Sequence, residues 1–265
     1  MKPALSVVVV NYNAGRWLQD ALRSLRQRVR GVALEVLVVD NGSYDGSLDG
    51  LRRRFPGVRV IRNRRNVGFA RAVNQGIRAT RGRYVLLLNP DTTVLGGDWA
   101  AWLRELDARP EVGIAGAKVY DDESRRSVQP SCRRFPTLAN YVFNRHSLLT
   151  RLFPNNRFSR RYLMRDWDHH AAGEVDWVSG CCMLLRRAML DQIGLLDEGY
   201  KLFSEDVDLC WRAHRAGWRV RYHPGVEIAH HTGSVRAQAS ARALVERHLS
   251  LWRFCRKYYA GNPVF

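Results

Sequence analysis

Short apolar runs recur through the first part of the chain, and segments with helical spacing separate them. Four runs carry few or no polar residues: Leu5–Val10, Val36–Val39, Val58–Ile61 and Tyr84–Leu88. Runs of this kind, without alternation, are typical of strands buried on both faces of a sheet. Strands that alternate with helices over short connections predict an α/β fold with a parallel sheet and right-handed crossovers.

The last of these runs, Tyr84–Leu88, stops at Asn89, Pro90 and Asp91. Proline has no N–H to donate to a sheet ladder, so the strand is expected to end there. Asp91 would then stand at the carboxyl end of a central strand, where open α/β sheets bind their ligands. The alternative is an ordinary Asn-Pro-Asp turn with no function.

Polar side chains also follow the earlier strands. They are Asn11 and Asn13 after the first strand and Asp40 after the second. Because the carboxyl ends of parallel strands meet at one edge, these side chains and Asp91 are predicted to share one crevice. The turn at Asn11–Gly15 has neither a G-x-G-x-x-G pattern nor a P-loop, so no backbone phosphate cradle is indicated. A diphosphate bound here would need a metal ion.

Beyond Val112–Val119, which is predicted to be a further strand, the pattern weakens between Asp121 and His170, where short helices are expected near Leu138–Leu149. Order returns at Trp177 and Val178, which are predicted to end a strand at Gly180. Leu184 and Leu185 are expected to lead into a helix. Two further short strands are predicted at Arg219–Tyr222 and Val226–Ala229.

Three acidic residues open the next helix: Glu205, Asp206 and Asp208, with Ser204 as its expected N-cap. Helical spacing places Glu205 and Asp208 on a solvent-facing stripe and Asp206 on the flank of the buried face. A carboxylate beside packed surface suits a general base. The alternative is that all three acids only complement the helix dipole.

The final helical pattern covers Val235–Tyr259, and its end interleaves aromatic residues with Arg and Lys. This composition suits an anionic lipid interface. The alternative is a C-terminal helix that packs Leu244, Leu251 and Phe254 on the body of the protein.

Composition narrows the function classes. The 265 residues suit one large α/β domain or a domain with a small appendage, and no apolar run reaches the length of a membrane span. Met1–Val10 resembles a weak signal peptide but runs into Asn11 without a cleavage pattern, so it is interpreted as a strand. The five cysteines have no metal-binding spacing, which indicates a reducing compartment.

The net charge of +18 implies an anionic partner: nucleic acid, a membrane surface or a phosphorylated substrate. The charge comes almost entirely from Arg, and the basic residues are spread along the chain. No nucleic-acid reading motif is present, so a nucleic-acid-binding protein is only a distant alternative.

The ordered motifs together resemble an inverting family 2 glycosyltransferase of the GT-A fold, in particular the bacterial rhamnosyltransferase-like members. The matching segments are Val7–Asn13, Val38–Ser43, Asn66–Ala70, Leu88–Asp91, Trp177–Gly180, Leu196–Glu198, Glu205–Leu209 and His230–Ser234. The resemblance implies a central, mainly parallel sheet flanked by helices. It divides the chain into a catalytic domain at 1–234, with a nucleotide-sugar half (1–120) and an acceptor half (121–234), followed by a basic aromatic helix at 235–265.

The resemblance also implies residue roles. Asp40 would hold the pyrimidine edge of the donor nucleotide. The full nucleotide-sugar set is Asn11, Asn13, Asp40, Asn41, Asn66, Gly68, Phe69, Asn89 and Asp91. Asn89 replaces the first acid of the family's D-x-D motif, which leaves Asp91 as that motif's metal contact. His230, in preference to His231, would be the second ligand of Mg²⁺ or Mn²⁺.

On the acceptor side, the resemblance makes Asp206 the catalytic base. Glu205 is expected to hold the acceptor or Asp206 in place, and Trp177, Ser179 and Gly180 are expected to wall the acceptor. The expected reaction is metal-dependent transfer of rhamnose from dTDP-rhamnose to a hydroxyl of a lipid-linked or cell-envelope glycan. Its expected place is the cytoplasm, at the anionic inner face of the plasma membrane. A UDP-sugar donor is the alternative within the same chemistry.

Overall fold

A single large sheet runs through the protein in this computed structural model, which describes residues 3–137, 157–164, 166–231 and 240–260. The short helices expected near Leu138–Leu149 lie outside the described residues. The strand order is β3-β2-β1-β4-β10-β6-β11-β5, and a short strand, β8, pairs with β11. A separate two-stranded ribbon joins β7 to β9.

The strands, in chain order, are β1 (Leu5–Asn11), β2 (Leu34–Asp40), β3 (Val58–Arg62), β4 (Tyr84–Leu88), β5 (Thr92–Gly97), β6 (Val112–Tyr120), β7 (Cys132–Arg133), β8 (Gly173–Glu174), β9 (Trp177–Val178), β10 (Cys182–Arg186) and β11 (Arg219–His230). The helices are α1 (Arg16–Arg28), α2 (Leu51–Arg54), α3 (Phe69–Ala79), α4 (Trp99–Asp107), α5 (Arg157–Tyr162), α6 (Arg187–Ile193), α7 (Glu205–Arg215) and α8 (Ser240–Tyr259).

The first four strands are parallel, as the apolar runs predicted, with β1 between β2 and β4. Alternate residues of β1 enter different cores: Val7 and Val9 share a core with α1 and α4, whereas Val8 and Val10 share one with α3 and α7. Burial on both faces explains why these runs carry so few polar residues. The mainly parallel α/β architecture predicted from the sequence is confirmed.

The predicted elements after β6 need correction. Leu184 and Leu185 lie in a strand that the sequence did not predict, β10, which runs antiparallel between β4 and β6. The expected helix follows this strand, from Arg187 to Ile193, and stops at Gly194. An apolar run of this length is compatible with a buried strand and with a buried helix. Hydrogen-bond pairing with β4 and β6 makes this segment a strand.

The two short strands predicted at Arg219–Tyr222 and Val226–Ala229 are one strand, β11, whose register with β6 shifts between His223 and Glu227. It runs parallel to β6 and antiparallel to β5. Through this strand the chain reaches His230 at the same edge of the sheet as the end of β4.

Helix α8 packs against α7 and buries part of the face that the sequence predicted to be solvated. Trp211 contacts Phe254 and Tyr258, at ring-centroid distances of 5.6 and 5.2 Å. The Tyr258 hydroxyl and the Lys257 ammonium each donate to Asp208 Oδ1, both at 2.7 Å. Asp208 is therefore fully buried, and its assignment to the solvent stripe was wrong because that prediction considered one helix alone.

Candidate active site

The turns after β1 and β2 are joined by the side chain of Asn11. Its amide group donates to Asp40 Oδ1 (2.8 Å), Ser43 Oγ (3.0 Å) and Ser47 Oγ (2.8 Å). Asp40 Oδ2 accepts a further bond from the Ser43 N–H at 3.3 Å. Both Asn11 and Asp40 are buried, and the amide oxygen of Asn11 has no partner among the described residues. The structure thus gathers the predicted nucleotide residues of these two strands into one network.

Asn41 ties this network to the loop that opens α3. Its side-chain oxygen accepts from the Val67 N–H at 3.0 Å, and its amide donates to Asn66 Oδ1 at 3.0 Å and to the Gly68 carbonyl at 3.3 Å. Asn41 is buried, whereas Asn66 is exposed and Phe69 is half-buried at the start of α3. Asn41 therefore holds the loop in its conformation, whereas the side chains of Asn66 and Phe69 are accessible to solvent.

Asn13 and Gly42 are among the residues of this region with positive φ. Asn13 has φ 51°, and its side chain accepts from the Tyr44 N–H at 3.0 Å. Gly42 has φ 82°, and a Cβ there would lie 2.8 Å from the backbone of Arg65. Only glycine fits at position 42, because both the dihedral angle and the close approach exclude a side chain.

At the end of β4, Asp91 lies beside His230. Asp91 Oδ1 is 3.4 Å from His230 Nε2, and the amide nitrogen of Asn89 is 3.4 Å from the same ring atom. His230 Nδ1 lies 2.9 Å from Gln129 Oε1, which orients the ring. The neighbouring His231 ring turns elsewhere: it stacks on Trp17, and its Nε2 lies 3.0 Å from a carboxylate oxygen of Glu123.

The pKa of His230 is set by opposing causes. Burial lowers it, but the neighbouring Cys181 and Asp91 raise it more strongly, to about 10. Apart from any metal ion, the imidazole therefore holds a proton and pairs with the Asp91 carboxylate at neutral pH. A metal ion bound here would take the place of that proton.

The family resemblance of the sequence implies a divalent ion, and the chemistry of Asp91 and His230 fits Mg²⁺ or Mn²⁺. No group of three or more His, Cys, Asp or Glu suited to a metal occurs in residues 3–137, 157–164, 166–231 and 240–260. Asp91 and His230 do converge as a pair. Mg²⁺ and Mn²⁺ are held in this way, by one or two protein ligands together with waters and substrate phosphate oxygens.

Asp206, in the first turn of α7, is held by two backbone donors. Its Oδ2 accepts from the Gly180 N–H at 3.0 Å and its Oδ1 from the Val207 N–H at 2.9 Å. Burial raises the pKa of Asp206 above its ordinary value, although these hydrogen bonds oppose the rise. A half-buried, oriented carboxylate with a raised pKa is equipped to accept a proton.

Gly180 and Cys181 join Asp206 to the turn that carries Asp91. The Gly180 N–H donates to Asp206, and the carbonyl of the next residue, Cys181, accepts from the Asn89 N–H at 3.0 Å. Asp206 and the Asn89–Asp91 turn are thus hydrogen-bonded to adjacent residues of one turn. The sequence predicted both groups, and the structure connects them through this dipeptide.

Glu205 lies next to the base but is buried, and its Oε2 has no hydrogen-bond partner among the described residues. Its assignment to the solvent stripe of α7 was therefore wrong. Burial first, and the adjacent Asp206 second, raise the pKa of Glu205 to about 8. Glu205 is mostly protonated at neutral pH, since two neighbouring carboxyl groups out of water do not both ionise readily. The two N–H groups that donate to Asp206 favour its charged form, whereas Glu205 Oε2 has no such donor among the described residues.

The backbone before α7 is strained. Phe203 and Ser204 have φ 69° and 64°, and the Ser204 side chain makes no capping hydrogen bond. Ser204 does occupy the predicted N-cap position, but its left-handed backbone does not direct its hydroxyl to the helix N–H groups, so the expected side-chain cap is missing. Non-glycine residues in this conformation cost about 1–3 kcal/mol each and cluster at functional sites.

The surroundings of Asp206 contain a cation that sequence reasoning missed. The guanidinium of Arg133 lies 4.9 Å from the centre of the Trp177 ring, and its charge lowers the pKa of Asp206 against the effect of burial. Trp177 itself is buried and donates to the Arg134 carbonyl at 2.8 Å, while Ser179 is half-buried. Arg133 comes from the irregular segment between Asp121 and His170, where no periodic pattern could identify it.

Comparison with known proteins agrees with this geometry. Residues 3–249 match the family model described as "Glycosyltransferase like family 2". The chain belongs to this family. It is a glycosyltransferase of the hexosyltransferase class.

Two relatives with assigned activities match this glycosyltransferase. An N-acetylglucosaminyl-diphospho-decaprenol L-rhamnosyltransferase of Mycobacterium tuberculosis is 32% identical over 273 residues, which covers 98% of this chain and 87% of the relative. The rhamnosyltransferase WbbL of Escherichia coli K12 is 25% identical over 162 residues, with 60% of this chain and 57% of the relative covered.

Solved structures support the GT-A fold. A mannosyltransferase of Pyrobaculum calidifontis in complex with GDP-Man and Mn²⁺ has a TM-score of 0.64 at 18% identity, with 97% of this glycosyltransferase and 64% of that chain covered. GalNAc-T7 with UDP, GalNAc and Mn²⁺ also has a TM-score of 0.64, at 15% identity, with 86% and 43% covered. At these identities the likeness concerns the fold.

Proposed function

We propose that this glycosyltransferase moves rhamnose from dTDP-rhamnose to a hydroxyl group of a lipid-linked glycan, with inversion at the anomeric carbon and with Mg²⁺ or Mn²⁺. The observation that carries the reaction type is the turn at Gly180–Cys181, to which Asp206 and the Asn89–Asp91 turn are both bonded. The rhamnosyl donor and the lipid-linked acceptor are inferred from the mycobacterial relative, which is similar over nearly the whole chain.

In the proposed reaction the acceptor hydroxyl attacks the anomeric carbon of the donor sugar. A bond forms between the hydroxyl oxygen and that carbon, and the bond from the carbon to the diphosphate oxygen breaks, so dTDP leaves with the electron pair. Asp206 accepts the hydroxyl proton, with its carboxylate oriented by the Gly180 and Val207 N–H groups. A divalent ion held by Asp91 and His230 would neutralise the charge that develops on the departing diphosphate.

The roles proposed for the donor residues are based on the hydrogen bonds of Asn11, Asp40 and Asn41. Asp40 receives the pyrimidine edge, since each carboxylate oxygen keeps accepting capacity beside its bond to Asn11 or Ser43. Asn11 and Asn41 hold Asp40 and the Asn66–Phe69 loop in place. The exposed or half-exposed donor surface consists of Asn13, Asn66, Gly68, Phe69 and Asn89.

The acceptor side is assigned to the turn around Gly180. Ser179 and Gly180 face the sugar beside Asp206, Trp177 supports Arg133, and Glu205 holds the pair at a single negative charge. In this arrangement residues 1–120 form the donor half and residues 121–234 the acceptor half, although one sheet runs through both.

The proposed place of action is the inner face of the plasma membrane, where a lipid-linked acceptor and a cytoplasmic nucleotide sugar can meet. In the described ranges, with gaps at 138–156, 165 and 232–239, no helix is long and apolar enough to cross a bilayer. In this proposal the enzyme contacts the membrane through its surface.

The decisive experiment measures transfer to a polyprenyl-diphospho-N-acetylglucosamine acceptor from dTDP-rhamnose or a panel of UDP-sugars, with and without Mn²⁺. The proposal expects product only with dTDP-rhamnose and a divalent ion, with the anomeric configuration inverted by NMR. Transfer from a UDP-sugar instead would replace the donor assignment. Undiminished transfer in the presence of EDTA would refute the metal dependence.

A further inference from the structure

One surface of the protein concentrates its exposed apolar side chains. Seven large apolar side chains are exposed in the described part of the chain, and four of them lie on α8: Leu244 (47% exposed), Val245 (56%), Leu249 (54%) and Trp252 (48%). A fifth, Leu202, lies next to this helix, because its carbonyl accepts from Ser250 Oγ of α8 at 2.8 Å. Apolar side chains clustered in this way mark an interaction surface.

Helix α8 has two apolar faces. Ser250 and Phe254 are buried on the body of the enzyme, and Phe254 packs on Trp211 of α7. Val245, Leu249 and Trp252 are spaced by four and three residues, so they share another side of the helix. That second side is uncovered among the described residues. The sequence supports two hypotheses for this helix: packing on the body of the protein and contact with a lipid interface. Both are compatible with the structure, because each concerns a different face of the helix.

Arginine borders the uncovered face. Arg256 lies 5.2 Å from the Trp252 ring, and Arg253, four residues after Leu249, is exposed and pairs with Asp197 of the body at 3.3 Å. Glu246 is the one acidic residue between Ser240 and Tyr259 in the sequence. An apolar face with a tryptophan and a basic border suits the headgroup region of an anionic bilayer. The net charge of +18 opposes a second copy of the chain as the occupant.

The same helix contacts the segment that carries the catalytic base. Leu202 and Phe203, which meet α8 at Ser250 and Arg247, directly precede the Ser204–Asp206 turn. We propose that the uncovered face of α8 lies on an anionic phospholipid bilayer and, through Leu202 and Phe203, holds the Asp206 segment near the headgroup level. The role in presenting a lipid-linked acceptor rests on the function proposed above, whereas the binding of lipid itself does not.

The test is flotation of the full-length enzyme with vesicles of phosphatidylcholine alone, or of equal parts phosphatidylcholine and phosphatidylglycerol. The enzyme is expected to float with the anionic vesicles only. A Leu249→Gln/Trp252→Gln variant is expected to partition more weakly by on the order of tenfold or more, because two apolar side chains no longer enter the interface. Both side chains are exposed, so circular dichroism should show an intact fold.

A matched pair of charge variants controls for non-specific attraction. Arg256→Gln removes a cation beside Trp252, whereas Arg52→Gln removes a cation that is also exposed but lies on α2. Only Arg256→Gln is expected to weaken vesicle binding measurably. Equal weakening by both variants would show that net charge alone attracts the enzyme and would overturn the assignment of the surface.

Other outcomes separate this proposal from the proposed function. Undiminished vesicle binding by the double variant would refute the surface. A dimer in lipid-free solution that the double variant abolishes would show that a second copy covers this face, which also overturns the proposal. If the wild type binds anionic vesicles through this face but transfers no rhamnose, the surface stands and the donor or acceptor assignment fails.

Discussion

The proposed donor side and the proposed base side lie at the same edge of the sheet but are built differently. On the donor side, Asn11, Asp40 and Asn41 are buried, the Asn11 amide donates to Asp40, and the Asn41 amide donates to Asn66. On the base side, Glu205 is buried with an oxygen that has no partner among the described residues, and the residues before it have positive φ angles. The donor side is largely paired before any ligand arrives, and its left-handed Asn13 is a residue type that tolerates this conformation. The base side instead holds a proton on Glu205 and two adjacent residues, Phe203 and Ser204, that tolerate it less well.

The difference has a physical reason. A binding surface gains affinity when its polar groups are already oriented, since little order is then lost on binding. A general base needs a pKa above that of an ordinary aspartate, and burial beside a second carboxyl group supplies it at a cost in stability. The amide oxygen of Asn11 also lacks a partner in the described residues. This amide is neutral and does not titrate, so it gives the donor side no proton-binding group comparable to Glu205.

The largest effect is expected from Asp206→Asn, which tests whether the base side performs the proton transfer. Loss of the base should lower kcat by about 10²- to 10⁴-fold. Nucleotide affinity should stay the same, because Asp206 lies outside the donor network. Transfer rates and dTDP binding by calorimetry measure the two effects. Full activity of this variant would remove the distinction between the two sides, and Asp191→Asn, at an exposed position of α6, is the control.

Asn11→Ala tests whether the donor side is held by its hydrogen bonds. The variant leaves Asp40, Ser43 and Ser47 without a shared donor and should lower the free energy of unfolding by about 1–3 kcal/mol, with weaker nucleotide binding. Urea denaturation and dTDP titration provide the readouts. Asn66→Ala, at an exposed position where water can replace the lost bonds, should destabilise less. Equal losses in the two variants would contradict a buried, pre-paired network.

The pH dependence of stability tests the proton on Glu205. Its pKa is about 8 in the folded protein and near its ordinary value of 4.5 when unfolded, so the folded state binds more protons between these pH values. The free energy of unfolding should therefore fall as pH rises through this range, with a contribution of up to about 1.4 kcal/mol per pH unit. Glu205→Gln should remove this contribution, as urea denaturation at several pH values would show. An unchanged slope in the variant would mean that Glu205 is ionised in the fold.

The smallest effect is expected from Gly180→Ala. A Cβ at Gly180 would lie 3.7 Å from Asp206 Cβ, which is ordinary contact, and the N–H that orients the base is kept. The transfer rate should change by less than about threefold, or about 0.7 kcal/mol. Gly42→Ala is the contrasting variant, because it should destabilise the donor side through its φ of 82° and its 2.8 Å approach to Arg65. A large loss in Gly180→Ala would show that the base side tolerates no added contact.

Sequence reasoning worked best where one element decides the outcome. The strand ends at Asn11, Asp40 and Asn89 were readable because apolar runs stop there, and the family motifs extended the prediction to Asp206 and His230. Sequence reasoning failed where the conformation or the burial of a residue depends on a second element that packs beside it. Leu184 and Leu185 could have been helix or strand until β4 and β6 paired with β10, and Asp208 was misplaced because α8 covers its side of α7.

The sequence by itself determined that polar side chains stand at the ends of parallel strands, because the direction of the chain places those ends at one edge of the sheet. Only the tertiary structure decided which of them meet. It set the ring of His230, and not that of His231, beside the Asp91 carboxylate, and it joined Asp206 to the Asn89–Asp91 turn through Gly180 and Cys181. These contacts depend on distant segments packing together, and burial, which raises the pKa of Glu205, exists only after they have packed.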